Sequence, residues 1–236
     1  MTKPFMVKAG SGQFAFVDPP TVLYKFVDKE EHAQDLVERG TLLLGTLQRY
    51  RNLEGFDPAR GDAGEGRFTI TLQSAQPESI TADNAPWYLK EQVAGVGLPI
   101  FSHGGQLNAV GTYPDSFIFC TSYLRAADLV KRYGPYCVKI HHVVGFFAAL
   151  SRHLTDGLGI ASTMQFGMLG WCQYDGRSTK ASSVSDVVER PAVPFAKMPD
   201  KSGELEVRAV WYPANPPPLP VIVTCSELTA FCSRVQ

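Results

Sequence analysis

Residues 203–211, Gly-Glu-Leu-Glu-Val-Arg-Ala-Val-Trp, constrain this chain more than any other stretch. Leu205, Val207, Ala209 and Trp211 alternate with Glu204, Glu206 and Arg208. A period of two is the signature of a strand with one face on a core and the other polar. The polar face would carry two carboxylates followed by a guanidinium. Like charges side by side on a strand destabilise it unless something compensates. Arg208 is one such group, and a cationic ligand is another. Taken alone, the pattern is satisfied by a solvated strand face with an ion pair.

The rest of the chain reads as short elements. Thr21–Val27 is a compact β-prone run. Asp28 with Glu31 has capping-box spacing, so residues 29–38 are predicted as a short helix with Ala33, Leu36 and Val37 inward and Gly40 as its stop. Thr41–Leu47 is predicted as a second strand. Residues 48–66 mix charges of both signs with four glycines and a proline, which predicts a loop, either solvated or ligand-binding. Arg67–Leu72 is β-like, and 74–111 carry little signal beyond a short helix opening at 85–90 and a glycine-rich loop around His103.

Ser116–Ser122 is predicted as an apolar strand, Arg125–Tyr133 as a helix, Tyr136–Ile140 as a strand and Val143–Leu154 as a helix with Phe146, Phe147 and Leu150 inward. His141 and His142 lie at the junction before that helix without a third ligand in view. Met164–Tyr174 is predicted as a strand with a glycine bulge, 175–177 as a turn, 178–185 as a loop, 191–199 as extended, 213–220 as a proline-rich loop and Val221–Thr224 as the last strand. Helices do not alternate regularly with the roughly seven or eight strands. The fold class is therefore α+β, with a mostly antiparallel, split β-core and short flanking helices. One domain is expected over 1–236, with its core at about 21–225.

Composition narrows the function classes. With 44% hydrophobic and 11% aromatic residues the chain can build a large core, and a net charge of -1 argues against an extended nucleic-acid footprint. The five cysteines contain no C-x-x-C pair, which disfavours zinc ribbons and thioredoxin-like motifs; thiols in a reducing compartment are expected, and no metal. Residues 1–6 lack an apolar signal region and no run reaches membrane-span length. Action in the cytoplasm is expected, with no signal peptide and no membrane partner.

Four stretches in order carry a resemblance. They are Leu23-Tyr24-Lys25-Phe26 with Gly40 after it; Tyr50-Arg51 with Glu54, Gly61-Asp62 and Glu65-Gly66; Phe117 to Ser122 trailed by Gly134 to Ile140; and Phe195-x-Lys197 leading into Glu204 to Arg208. Over about residues 21–212 the chain resembles a large bacterial family of the Y-K-y … C-x-S … E-x-E-x-R type and, more distantly, the mono-ADP-ribosyltransferase superfamily, bacterial toxins included. The superfamily pattern has an Arg or His on a first strand, a Ser-Thr-Ser-like motif on a middle strand and a catalytic Glu on a late strand. Here Lys25 stands at the first position, Cys120-Thr121-Ser122 at the second, and Glu206 at the third. Lys25 and Cys120 both depart from the usual residues.

The resemblance implies an ADP-ribosyltransferase-like fold and NAD as substrate. It implies Glu206 and Glu204 as catalytic residues, with Lys25, Arg51, Thr121, Ser122 and Tyr123 as NAD-binding residues. Breaking the nicotinamide–ribose bond creates an oxocarbenium-like centre that a carboxylate stabilises. A second carboxylate can activate an acceptor as general base. The NAD pyrophosphate calls for cations, with Arg49 beside Lys25 and Arg51 as candidates, while Asp62 and Glu65 are read as caps or partners of the arginines. The implied protein is a bacterial or phage toxin, effector or defence factor modifying a protein or nucleic-acid acceptor, with an antitoxin or immunity protein as a further partner. An NAD glycohydrolase on the same fold and a non-catalytic nucleotide-binding module remain alternatives.

Overall fold

The structure is a computed structural model that describes residues 20–53, 61–73, 78–81, 83, 100–102, 106–156, 164–181, 193–213 and 219–235. It divides into two compact units. The first holds the described residues of Met1–Glu65, Asp115–Cys172 and Asp200–Gln236, and the second those of Gly66–Pro114 and Gln173–Pro199.

The first unit is organised on β7 (Phe117–Ser122), whose residues are apolar or small throughout. One edge of β7 pairs along its full length with β11 (Glu206–Pro213), which in turn pairs with β9 (Met164–Trp171). The other edge is shared. Its start pairs with β2 (Thr41–Thr46) through Ile118 and Phe117, and its end with β1 (Leu23–Val27) through Ser122. From β2 the sheet continues to β12 (Val221–Thr224); from β1 it continues to β8 (Tyr136–Ile140) and β13 (Cys232–Val235). All these pairs are antiparallel, and the sheet forks where β1 and β2 leave β7.

Among the described residues, α-helices α1 (Glu30–Arg39), α2 (Leu47–Leu53), α3 (Ala127–Tyr133) and α4 (Val143–Asp156) accompany the strands. On one sheet face Phe119 stacks on Phe146 at 5.9 Å between ring centres and meets Phe147 edge-on at 6.2 Å. Ala33, Leu36, Leu150, Val207, Ala209 and Trp211 complete this core. Each large side chain buried here contributes about 1.5–3 kcal/mol. Among the described residues no helix is long and apolar enough to cross a membrane. All five cysteines are thiols, four of them buried.

Gly40 ends α1 at φ 68°, a left-handed conformation that glycine adopts without steric cost. A Cβ there would stand 1.9 Å from the carbonyl oxygen of Cys225. Gly40→Ala is therefore expected to lower stability by about 2 kcal/mol or more, read by denaturant unfolding.

The second unit contains β10 (Ser178–Ala181), β3 (Arg67–Gln73) and β6 (Gln106–Thr112) in one sheet, and β4 (Glu78–Ile80) with β5 (Ile100–Ser102) in another. Phe68, Ile70, Tyr113 and Phe195 are buried within it.

The α+β class and the antiparallel character agree with the sequence reading. Several element boundaries differ. Asp28 does not cap α1: Lys29 takes the cap position without a side-chain capping bond, and Asp28 instead faces His32 at 3.4 Å. Part of the charged segment predicted as loop is α2, because Thr46 Oγ1 accepts from the Arg49 N–H and Asp115 Oδ1 from the Gln48 N–H, which caps its first turn. Residues 106–112 and 178–181 form strands because each finds a partner in β3, β10 by a parallel pairing. Val221–Thr224 is not the last strand, since β13 follows and pairs with β8. Residues 193–195 form a 3-10 turn rather than an extended run. The helix expected at 85–90, the loop at His103 and residues 54–60 lie outside the described residues.

Candidate active site

The register of β7 against β11 decides which side chains meet. Glu206 lies opposite Ser122, Val207 opposite Thr121, and Arg208 opposite Cys120. Residues opposite one another in an antiparallel pair share a face. Glu206, Arg208, Ser122 and Cys120 are thus on one face, while Val207, Ala209, Thr121 and Phe119 are on the face that carries the aromatic core. Tyr24 of β1 also lies opposite Ser122. The result is a row, Tyr24–Ser122–Glu206, crossing three strands beside the fork.

This polar face is buried rather than solvated. Arg208, Glu65 and Glu206 are 1%, 2% and 6% exposed. The Arg208 guanidinium donates from Nη1 and Nη2 to the two oxygens of Glu65 at 2.7 and 3.1 Å, and from Nε to Glu206 Oε1 at 2.7 Å. Charges removed from water are tolerated only when paired and hydrogen-bonded in this way. Burial alone would lower the pKa of Arg208, but Glu206 and Glu65 outweigh it and hold the guanidinium well above its ordinary value. Tyr50 belongs to the same environment. Burial, then the neighbouring Cys120 and Glu206, raises its phenol. Its ring lies against Gly45, where a Cβ would stand 2.8 Å from the ring edge.

Glu65 reaches this face on a short held segment. The Asp62 N–H donates to Tyr50 O at 2.9 Å, the Glu65 N–H to Asp62 O at 2.8 Å, and Asp62 Oδ1 accepts from the Gly64 N–H at 3.1 Å. Arg51 Nη1 donates to the Glu65 carbonyl at 2.8 Å. Arg51 thus supports the backbone of the segment, and Asp62 shapes its turn.

Glu204 is not on the strand. β11 starts at Glu206, and Glu204 ends a 3-10 helix, Pro199–Glu204. The break is Leu205, which has a positive φ of 49°. That conformation interrupts the period of two, so the two carboxylates do not share a strand face. Glu204 is 4% exposed and accepts from Arg132 of α3 at 3.2 Å. Leu205 is held in place because its carbonyl accepts from the Tyr123 N–H at 3.1 Å, with Ser122 Oγ 3.2 Å away. A β-branched side chain tolerates positive φ least and glycine best. Leu205→Val is expected to melt lower than Leu205→Gly by about 1 kcal/mol, or roughly 2–4 °C in a thermal scan.

The remaining predicted residues divide by face. Alternation along β1 puts Tyr24, not Lys25, on the Glu206 face. Lys25 pairs across with Val138 of the core, donates to the Cys120 carbonyl at 2.9 Å and stands 4.7 Å from the centre of the Phe119 ring. Thr121 faces the core and donates to Val207 O at 2.8 Å. Tyr123 meets Trp171 edge-on at 4.7 Å. Arg49 is exposed on α2. His142 Nδ1 accepts from the Gly145 N–H at 2.9 Å, a capping role at the start of α4. Among the described residues no group of three His, Cys, Asp or Glu side chains is placed to hold a metal.

The structure therefore brings together Glu206, Ser122, Tyr24, Tyr50, Arg208 and Glu65, and holds Lys25, Thr121 and Glu204 elsewhere. Sequence reasoning read Glu65 as a cap or partner of the arginines, without singling out Arg208. Its true partner is 143 positions away, which no local pattern reports. No protein-family model matches this chain, and neither the curated proteins nor the solved structures contain a match.

Proposed function

We propose that this chain cleaves the nicotinamide–ribose bond of NAD and transfers ADP-ribose to a protein or nucleic-acid acceptor, on an ADP-ribosyltransferase-like fold. The observation that carries the reading is the row Tyr24–Ser122–Glu206 across three strands beside the fork. It combines a late-strand carboxylate and a middle-strand hydroxyl, as the motifs imply, with Tyr24 on the first strand where the motifs imply Lys25. Arg208 Nε fixes one oxygen of Glu206 through a hydrogen bond of 2.7 Å. In the proposed reaction Glu206 accepts a hydrogen bond from the ribose 2′-hydroxyl and stabilises the positive charge that develops as nicotinamide leaves. Ser122 steadies the turn through Leu205 from which Glu206 emerges. Exposed Arg49, next to Tyr50 on α2, is the cation assigned to the pyrophosphate. The proposed setting is cytoplasmic, as a toxin, effector or defence factor of a bacterium or phage with a neutralising partner.

One observation favours a second reading, an NAD glycohydrolase. Glu204, the residue expected to activate an acceptor, is off the strand and paired with Arg132. Water would then take the acceptor's place.

The test is nicotinamide release from NAD by the purified chain, with and without cell lysate. Release only with lysate supports transfer, and labelled NAD then marks the acceptor. Release without lysate supports the glycohydrolase. No release under either condition overturns both and leaves a nucleotide-binding module, for which the closed Glu206–Arg208–Glu65 cluster would be structural.

A further inference from the structure

Arg208 is gripped from two sides. Both oxygens of Glu65 take the Nη1 and Nη2 end of the guanidinium, while Nε donates to Glu206. A guanidinium is planar and rigid, so a bidentate carboxylate at one end sets the direction of the Nε–H bond at the other. That bond selects the rotation of the Glu206 carboxylate. Glu65 is itself held from behind, by Arg51 on its carbonyl and by the turn through Asp62.

From this geometry we propose that Glu65 is a positioning residue that acts through Arg208 to orient the Glu206 carboxylate. The proposal rests on the reading of Glu206 as the catalytic group. It assigns a function to the Gly61–Glu65 segment without requiring that segment to touch substrate. The Glu65 carboxylate acts here on Arg208 rather than on substrate, so its loss is expected to change turnover and leave NAD affinity nearly intact.

The test uses the full chain with Glu65→Gln and Glu65→Asp. Gln removes the charge and turns an amide NH2 toward a guanidinium N–H. Asp keeps the charge but is one methylene too short to hold both nitrogens with Arg208 in place. Two readouts are taken: steady-state nicotinamide release, and hydrogen exchange of the Arg208 Nε–H by 15N NMR.

In Glu65→Gln, kcat is expected to fall about tenfold or more with KM within about twofold. Glu65→Gln combined with Glu206→Gln is expected to be no slower than Glu206→Gln alone. The Arg208 Nε–H is expected to exchange about tenfold faster in both single variants than in the natural chain. An unchanged kcat in folded Glu65→Gln, additive losses in the double variant, or unchanged exchange would overturn the proposal. If Glu65→Gln does not fold, Glu65→Asp carries the same comparisons. If the natural chain releases no nicotinamide, the catalytic reading of Glu206 falls, and the exchange measurement still decides whether Glu65 sets the Arg208–Glu206 bond.

Discussion

Arg208→Met is expected to destabilise the first unit by about 3–5 kcal/mol, a drop on the order of 10 °C in melting temperature. Methionine fills much of the volume, so the loss is not mainly a cavity. It arises because Glu65 and Glu206, both nearly fully buried, would lose the cation that three hydrogen bonds tie to them. Two carboxylates out of water without a counter-charge repel each other and lack the solvation they had in the unfolded chain. The comparison that isolates this cause is Glu65→Leu/Glu206→Leu/Arg208→Met, which removes all three charges together. It is expected to recover most of the stability, since a well-packed apolar replacement of a buried ion cluster is often neutral or better. A folded Arg208→Met as stable as the natural chain would show that the carboxylates find other compensation. A triple variant no better than Arg208→Met would place the loss in packing.

The second large effect is on chemistry. Glu206→Gln is expected to reduce nicotinamide release from NAD by about 10²–10³-fold while the fold survives. The amide oxygen of Gln can still accept from Arg208 Nε, and Glu65 still balances the guanidinium, so the structural cost is smaller than for Arg208→Met. A neutral amide cannot stabilise the oxocarbenium-like charge in the transition state. NAD affinity should change little, because that charge is absent in the ground state. Full turnover in a folded Glu206→Gln protein would remove Glu206 from the mechanism.

Local chemistry made a good part of this molecule legible. The apolar run Ser116 to Ser122 read as a strand, and it became β7, to which three other strands bind. Gly40 after an amphipathic ten-residue helix marked its end, and the backbone there does adopt a left-handed conformation. Val207, Ala209 and Trp211 alternated as a core face does, and all three are buried. These features depend on neighbours a few residues away, so periodicity and steric preference suffice to read them.

What only the tertiary structure decided depends on long-range pairing. The weakly patterned residues 106–112 and 178–181 became strands because β3 offered them backbone partners, not because their side chains favour the conformation. Lys25 stood at a motif position, in place of the usual Arg or His, yet the register of β1 against β8 turned it toward the core and left Tyr24 beside Ser122. The E-x-E spacing suggested two carboxylates on one strand face, but the positive φ of Leu205, braced by bonds from Tyr123 and Ser122, ended the alternation before Glu204. Sequence by itself determined the α+β class, the central strand and two of the residues that the fold brings onto one face, Glu206 and Ser122. The fold determined that Arg208 answers Glu206 and the distant Glu65 together, because a buried charge must find its partner wherever the packed chain brings one, at any separation along the sequence.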